Sequence, residues 1–155
     1  MSEPGGSAPR PDAPTLAITL AGGGDCRVHH VPTGTTIETS KSPAFGGSGR
    51  SLSSTDLLAA ALGSCIATDI EPVAIRHGVP LEHIRIYVDK RLSLSPKRIE
   101  SFTVRIVITA PVEASIRARL RNAADACLVQ RSLDAAIRCD ITLETGPAPP
   151  EPPRP

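Results

Sequence analysis

Residues 57–67 read Leu-Leu-Ala-Ala-Ala-Leu-Gly-Ser-Cys-Ile-Ala, and a helix drawn through them has no strongly polar face. A helix that is apolar all round must be covered on every side. In a chain of 155 residues this requirement dictates the architecture, because most of the remaining chain has to wrap that one segment. The helix is expected to start at Ser53 or Ser54, where Ser53 and Asp56 resemble a capping box with Asp in place of Glu or Gln. It should run to about His77 and stop at Gly78, with Pro80 just beyond.

The material available to cover it is strand-like. Leu16, Ile18 and Leu20 alternate with Ala17 and Thr19, and Gly22–Asp25 reads as a turn into a second strand, Cys26–Val31. Thr35–Thr39 reads as a third strand, followed by a polar, glycine-rich loop. After the helix, Ile84, Ile86 and Val88 alternate with polar residues, as do Phe102, Val104, Ile106 and Ile108, which predicts a hairpin ended by Pro111. A second helix over about Glu113–Leu128 places Ile116, Leu120, Ala123 and Cys127 on one stripe. A short helix near Ser132–Ala136 leads to a last strand carrying Ile137, Cys139, Ile141 and Leu143. The order β-β-β-α-β-β-α-α-β is α+β, a largely antiparallel sheet against one apolar and one amphipathic helix.

One domain is expected over 15–145. Residues 1–14 and 146–155 are rich in Pro and Gly and are expected to be disordered tails. With 17 basic and 16 acidic residues and only 2% aromatics, neither a nucleic-acid nor a membrane partner is expected. The N-terminal residues lack a basic region followed by an apolar one, and Leu57–Ala67 is too short to span a bilayer, so the expected location is the cytoplasm.

The candidate chemistry lies in the cysteines. In a reducing compartment, four unevenly spaced cysteines are thiols rather than a disulfide framework. Cys139 alternates with Ile137 and Ile141 and reads as core. Cys26 with His29 and His30 lacks the further ligand a metal site needs, so no metal is expected there. On periodicity alone Cys65 and Cys127 read as small core residues too. Gly63 and Ser64 beside Cys65 open a second reading, since glycine allows close approach of backbone or ligand. Two helical cysteines on buried faces can also meet where their helices pack.

The run STDLLAAALGSCIATDI resembles the central-helix motif of the OsmC/Ohr family, the osmotically inducible and organic hydroperoxide resistance proteins. The preceding FGGSG loop, the hairpin and the later AADACLVQRSL segment match in the family's order. The resemblance implies an intertwined homodimer, with sheets wrapped on buried central helices and active sites at the subunit interface. It implies reduction of organic hydroperoxides or hydrogen peroxide, with Cys65 as peroxidatic nucleophile, Cys127 as resolving cysteine and an external dithiol as reductant, and with no bound metal or organic cofactor. The hydroperoxide-resistance branch supports its thiolate with an arginine from the first hairpin turn and a glutamate early in the central helix. Gly24 and Thr55 stand at those places here, and Leu128 replaces the proline after the second cysteine. These departures put the sequence nearer the broader OsmC-like branch. Arg27 and Arg50 are then the candidate thiolate-stabilising cations. A non-catalytic redox-sensing or apolar-ligand-binding module is the alternative reading.

Overall fold

A computed structural model describes residues 14–150; the expected tail over 1–14 lies outside the described residues save for Pro14, as do 151–155 of the C-terminal one. The chain divides into two compact units, Met1–Ser54 and Thr55–Pro155. Both combine into the expected α+β class.

The first unit is a three-stranded antiparallel sheet in the order β1-β2-β3, with β1 Leu16–Gly22, β2 Asp25–His30 and β3 Thr36–Thr39. Alternation and a glycine turn predict the first hairpin, and the register pairs Leu16 with His30 and Leu20 with Cys26. Every residue of β1 is exposed, with Leu20 at 83%. The following loop is not wholly irregular, because Pro43–Phe45 forms one turn of 3₁₀ helix. Backbone bonds from Lys41 N–H to Gly24 O (3.0 Å) and from Ser40 N–H to Leu52 O (3.0 Å) fold it back on itself and the hairpin turn.

The second unit holds α1 (Ser54–Arg76), β4 (Ile84–Leu94), β5 (Lys97–Ile108), α2 (Ala114–Asp125), α3 (Leu128–Arg131) and β6 (Arg138–Thr145). The C-terminus of α1 follows from its sequence. Gly78 takes φ +67°, Val79 N–H donates to Ala74 O (2.9 Å) and Gly78 N–H to Ile75 O (3.2 Å), the paired bonds of a Schellman stop. Val79 and Ala74 are both buried and make its apolar contact. The hairpin is longer than the alternation indicated, running to Leu94 and resuming at Lys97 around the cis Ser95–Pro96 peptide.

The core lies between helix and sheet. Leu62, Ile66, Ile70 and Ala74 of α1 meet Phe102, Val104, Ile106 and Ile108 of β5, with Leu120, Ala124, Cys127 and Ile141 closing the cluster. Full burial of each large apolar side chain contributes about 1.5–3 kcal/mol relative to exposure. α1 approaches β4 at Gly63, where an added Cβ would come within 2.9 Å of Val88 Cγ2. Glycine is therefore required here by the close approach of a strand.

The sheet order is β4-β5-β6; β4 and β5 are antiparallel, whereas β5 and β6 are parallel. A parallel pair needs a crossover, and α2 and α3 supply it. The second helix is correspondingly shorter than expected. It ends at Asp125, and Cys127 adopts non-helical φ −50°, ψ 123° before α3 begins at Leu128. The predicted helix at Ser132–Ala136 is displaced to α3, and turns occupy that stretch. Ending α2 early redirects the chain so that β6 can return alongside β5.

As a whole α1 is long and apolar enough to cross a membrane, with mean hydropathy 1.5 in its best window, although Leu57–Ala67 alone is too short. Ile70, Val73, Ala74 and Ile75 carry the apolar character past Asp69 and Glu71. Its buried stripe, with Leu62, Ile66 and Ala74 at 0% exposure, belongs to the core just described.

Candidate active site

Cys65 and Asp69 stand one turn apart on α1, where residues four apart share a face. The Cys65 thiol donates to Asp69 Oδ2 across 3.8 Å. Cys127, at the break between α2 and α3, brings a third group to the same point: Cys65 Sγ, Cys127 Sγ and an Asp69 carboxylate oxygen all lie within 4.8 Å of one another. Both cysteines are free thiols, Cys127 fully buried and Cys65 partly so. A small closing movement is therefore needed before an S–S bond of about 2.05 Å can form.

The two sulfurs sit in unlike surroundings. Burial pushes the Cys127 thiol up from its ordinary pKa; the Gln130 N–H pulls it back, the adjacent Cys65 raises it further and the Val129 N–H lowers it. A buried thiol that holds its proton, beside a more accessible one, suits a pair that reacts in sequence. Asp69 has no Lys, Arg or His within ion-pair distance among the described residues.

The other candidates are distributed elsewhere. Arg27 and Arg50 belong to the first unit; Arg27 lies 3.6 Å from Glu38, and Arg50 pairs with Asp25. The Arg50 guanidinium holds the Asp25 carboxyl below its ordinary pKa, with burial opposing. Asp56, in the first turn of α1, pairs with Lys90 of β4. Cys139 packs against the core on β6, opposite Phe102 in register. His29 Nδ1 bonds to Thr36 Oγ1 at 3.0 Å and His30 Nδ1 to Thr33 Oγ1 at 2.7 Å, and these two histidines form no metal-sized cluster with Cys26 among the described residues.

Sequence reasoning put Cys127 on the stripe of a continuous helix and so missed its place at a helix start, with N–H groups facing the sulfur. The signal available was Leu128, an apolar residue just beyond the stripe that the structure leaves 74% exposed.

The OsmC-like protein family model matches residues 47–142, most of the chain, and the chain belongs to that family. Within it, solved structures share the fold. A Psychrobacter arcticus protein, provisionally named for osmotic stress induction and the detoxification response, matches with TM-score 0.79 and 23% identity over 85% of this chain and 96% of its own. The organic hydroperoxide resistance protein OsmC of Legionella pneumophila matches with TM-score 0.67 and 17% identity over 83% and 96%. An organic hydroperoxide resistance protein of Elizabethkingia anophelis matches with TM-score 0.66 and 15% identity over 88% and 100%. No curated protein matches the sequence. Membership of this family makes the chain a soluble protein, with α1 a core helix.

Proposed function

We propose that this protein is a cysteine-based thiol peroxidase acting on organic hydroperoxides or hydrogen peroxide. The observation that carries this reading is the approach of the Cys65 and Cys127 sulfurs to within 4.8 Å. The Cys65 thiolate attacks the outer oxygen of the peroxide; the O–O bond breaks, the remainder leaves as an alcohol or water, and Cys65 becomes a sulfenic acid. The Cys127 sulfur then displaces that hydroxyl as water to give a Cys65–Cys127 disulfide, and an external dithiol restores both thiols by exchange. Cys65 is the nucleophile in this scheme because it is the more exposed sulfur. Arg27 and Arg50 are the proposed thiolate-stabilising cations, a role requiring either one to exchange its carboxylate partner. The names of the Legionella and Elizabethkingia relatives support the same chemistry.

The proposal includes a single OsmC-like domain over 15–145, a cytoplasmic location and a homodimer with interfacial sites. The dimer is supported by β1, whose apolar Leu16, Ile18 and Leu20 are 50%, 65% and 83% exposed on a three-stranded sheet. A row of this kind is normally covered.

The test is thiol loss and disulfide mapping after one equivalent of an organic hydroperoxide, in wild type and Cys65→Ser. A fast Cys65–Cys127 bond that is absent from the variant is the expected result, and unreactive thiols over minutes would overturn the peroxidase. One observation favours a second reading, a small apolar-ligand module with regulatory cysteines. An open cleft of about 310 Å³ lies between α1 and β4, lined by Ala67, Ile70, Leu81, Ile84 and Ile86 together with Thr68, Glu71 and Arg85. A copurifying apolar molecule together with inert thiols would establish that reading instead.

A further inference from the structure

We propose that Cys65, Cys127 and Asp69 of the reduced protein form a binding site for a thiophilic divalent cation, Zn²⁺ being the ion whose chemistry fits best. The sequence offers a metal candidate only at Cys26, His29 and His30, so this site comes from the tertiary structure and departs from the expectation that no metal binds.

Three observations carry it. The first is the spacing: two sulfurs and a carboxylate oxygen lie within 4.8 Å of one another. Tetrahedral zinc, with Zn–S near 2.3 Å and Zn–O near 2.0–2.2 Å, sets its ligand atoms roughly 3.5–3.8 Å apart, and small side-chain rotations close the difference. The second is the scaffold. Cys65 and Asp69, four residues apart on a helix, supply two ligands from one face, and Cys127 supplies the third from a fixed point between α2 and α3. The third is charge. Asp69 is a carboxylate set against two thiols with no cationic side chain within ion-pair distance among the described residues. A divalent cation binding there would displace both thiol protons, and its two positive charges would be met by two thiolates and one carboxylate, leaving the centre with one net negative charge. Two sulfur donors favour Zn²⁺ over Mg²⁺ or Ca²⁺, which prefer oxygen ligands. Three protein ligands leave a fourth position for water, reached from the exposed side of Cys65 and Asp69.

The site goes beyond the peroxidase reading and can be tested apart from it. The full chain, reduced and freed of metal with a chelator, is titrated with Co²⁺ as a spectroscopic stand-in for Zn²⁺. The expected result is a thiolate-to-cobalt charge-transfer band with intense visible bands of tetrahedral form, saturating at one ion per chain and bleached by Zn²⁺. Cys65→Ser and Cys127→Ser should each lose most of the charge-transfer intensity. Asp69→Asn, which keeps both thiols, should weaken binding at least tenfold. Protein carrying the Cys65–Cys127 disulfide should give no band. No charge-transfer band in the wild type would overturn the site, as would a band that survives both cysteine variants, or one unaffected by Asp69→Asn. The wild-type and Asp69→Asn titrations decide the matter even if a cysteine variant fails to fold. Disulfide formation by peroxide in metal-free protein tests the peroxidase independently, so either proposal can fail alone.

Discussion

Gly63 and Val88 are in contact across the α1–β4 interface so closely that a methyl group on Gly63 would meet Val88 Cγ2 at 2.9 Å. Gly63→Ala therefore sets two effects against each other. Alanine gains about 1 kcal/mol of helix propensity over glycine. Overpacking against a stiff, β-branched neighbour costs about 1–3 kcal/mol. The second effect wins at most positions in that range, and the variant is expected to unfold at lower urea, by about 1 kcal/mol. An unchanged or raised midpoint would show that β4 can yield.

Phe102 is the largest fully buried side chain and sits on the central strand of its sheet. Phe102→Ala should destabilise by about 3–5 kcal/mol through lost burial and the cavity left behind. Chemical denaturation monitored by circular dichroism measures this directly, and a loss below about 1 kcal/mol would mean that the core has been misidentified.

Cys127→Ser removes the resolving thiol and keeps the nucleophile. After one equivalent of hydroperoxide the sulfenic acid of Cys65 should persist long enough to be captured by dimedone, giving a mass adduct on the Cys65 peptide. The wild type should show little adduct, because the disulfide forms first. Equal labelling of the two proteins would rule out a resolving role for Cys127.

Burial raises the thiol pKa of Cys127 above its ordinary value near 9 and does the same for Cys139, where Asp140 adds to it and Arg121 opposes it. The folded state thus keeps these protons to higher pH than the unfolded chain does. Their contribution to stability is complete below about pH 9 and lost as pH rises through the folded values. Urea midpoints should fall over the alkaline range above about pH 9, and the fall should be smaller in a Cys139→Ala background. A midpoint independent of pH across that range would contradict the assignment.

Leu20, 83% exposed in the single chain, is the natural probe of the proposed dimer. Leu20→Glu places a charge in the row formed with Leu16 and Ile18 and should shift sedimentation from dimer toward monomer. A wild type that sediments as a monomer at micromolar concentration would remove the dimer from the proposal.

The fold was legible in the sequence wherever a pattern had local causes. The apolar helix, its stop at Gly78 and the alternation of Phe102, Val104, Ile106 and Ile108 each follow from side-chain periodicity or backbone freedom at one position. The ends of the β4–β5 hairpin were less legible, because Ser93–Lys97 breaks the apolar alternation while backbone pairing continues. The break at Cys127 was not legible at all: no Gly or Pro marks it, and what ends α2 is the need to return β6 beside β5. Of the candidate site, α1 alone places Cys65 and Asp69 on one face. The arrival of Cys127 depends on that crossover, which no local pattern encodes.

The parallel pairing of β6 with β5 also bears on how the chain is made. Phe102 is paired in register with Cys139, and Val104 with Ile141, so the covering strand leaves the ribosome well after the strand it covers. Until then β5 has one partner, β4, and keeps its other edge and part of its apolar face open. The growing chain must hold this half-built sheet through synthesis of both crossover helices. A pause in synthesis after β5 has left the ribosome but before Arg138–Thr145 has done so would therefore prolong an aggregation-prone species, and truncation before Arg138 would make that species permanent.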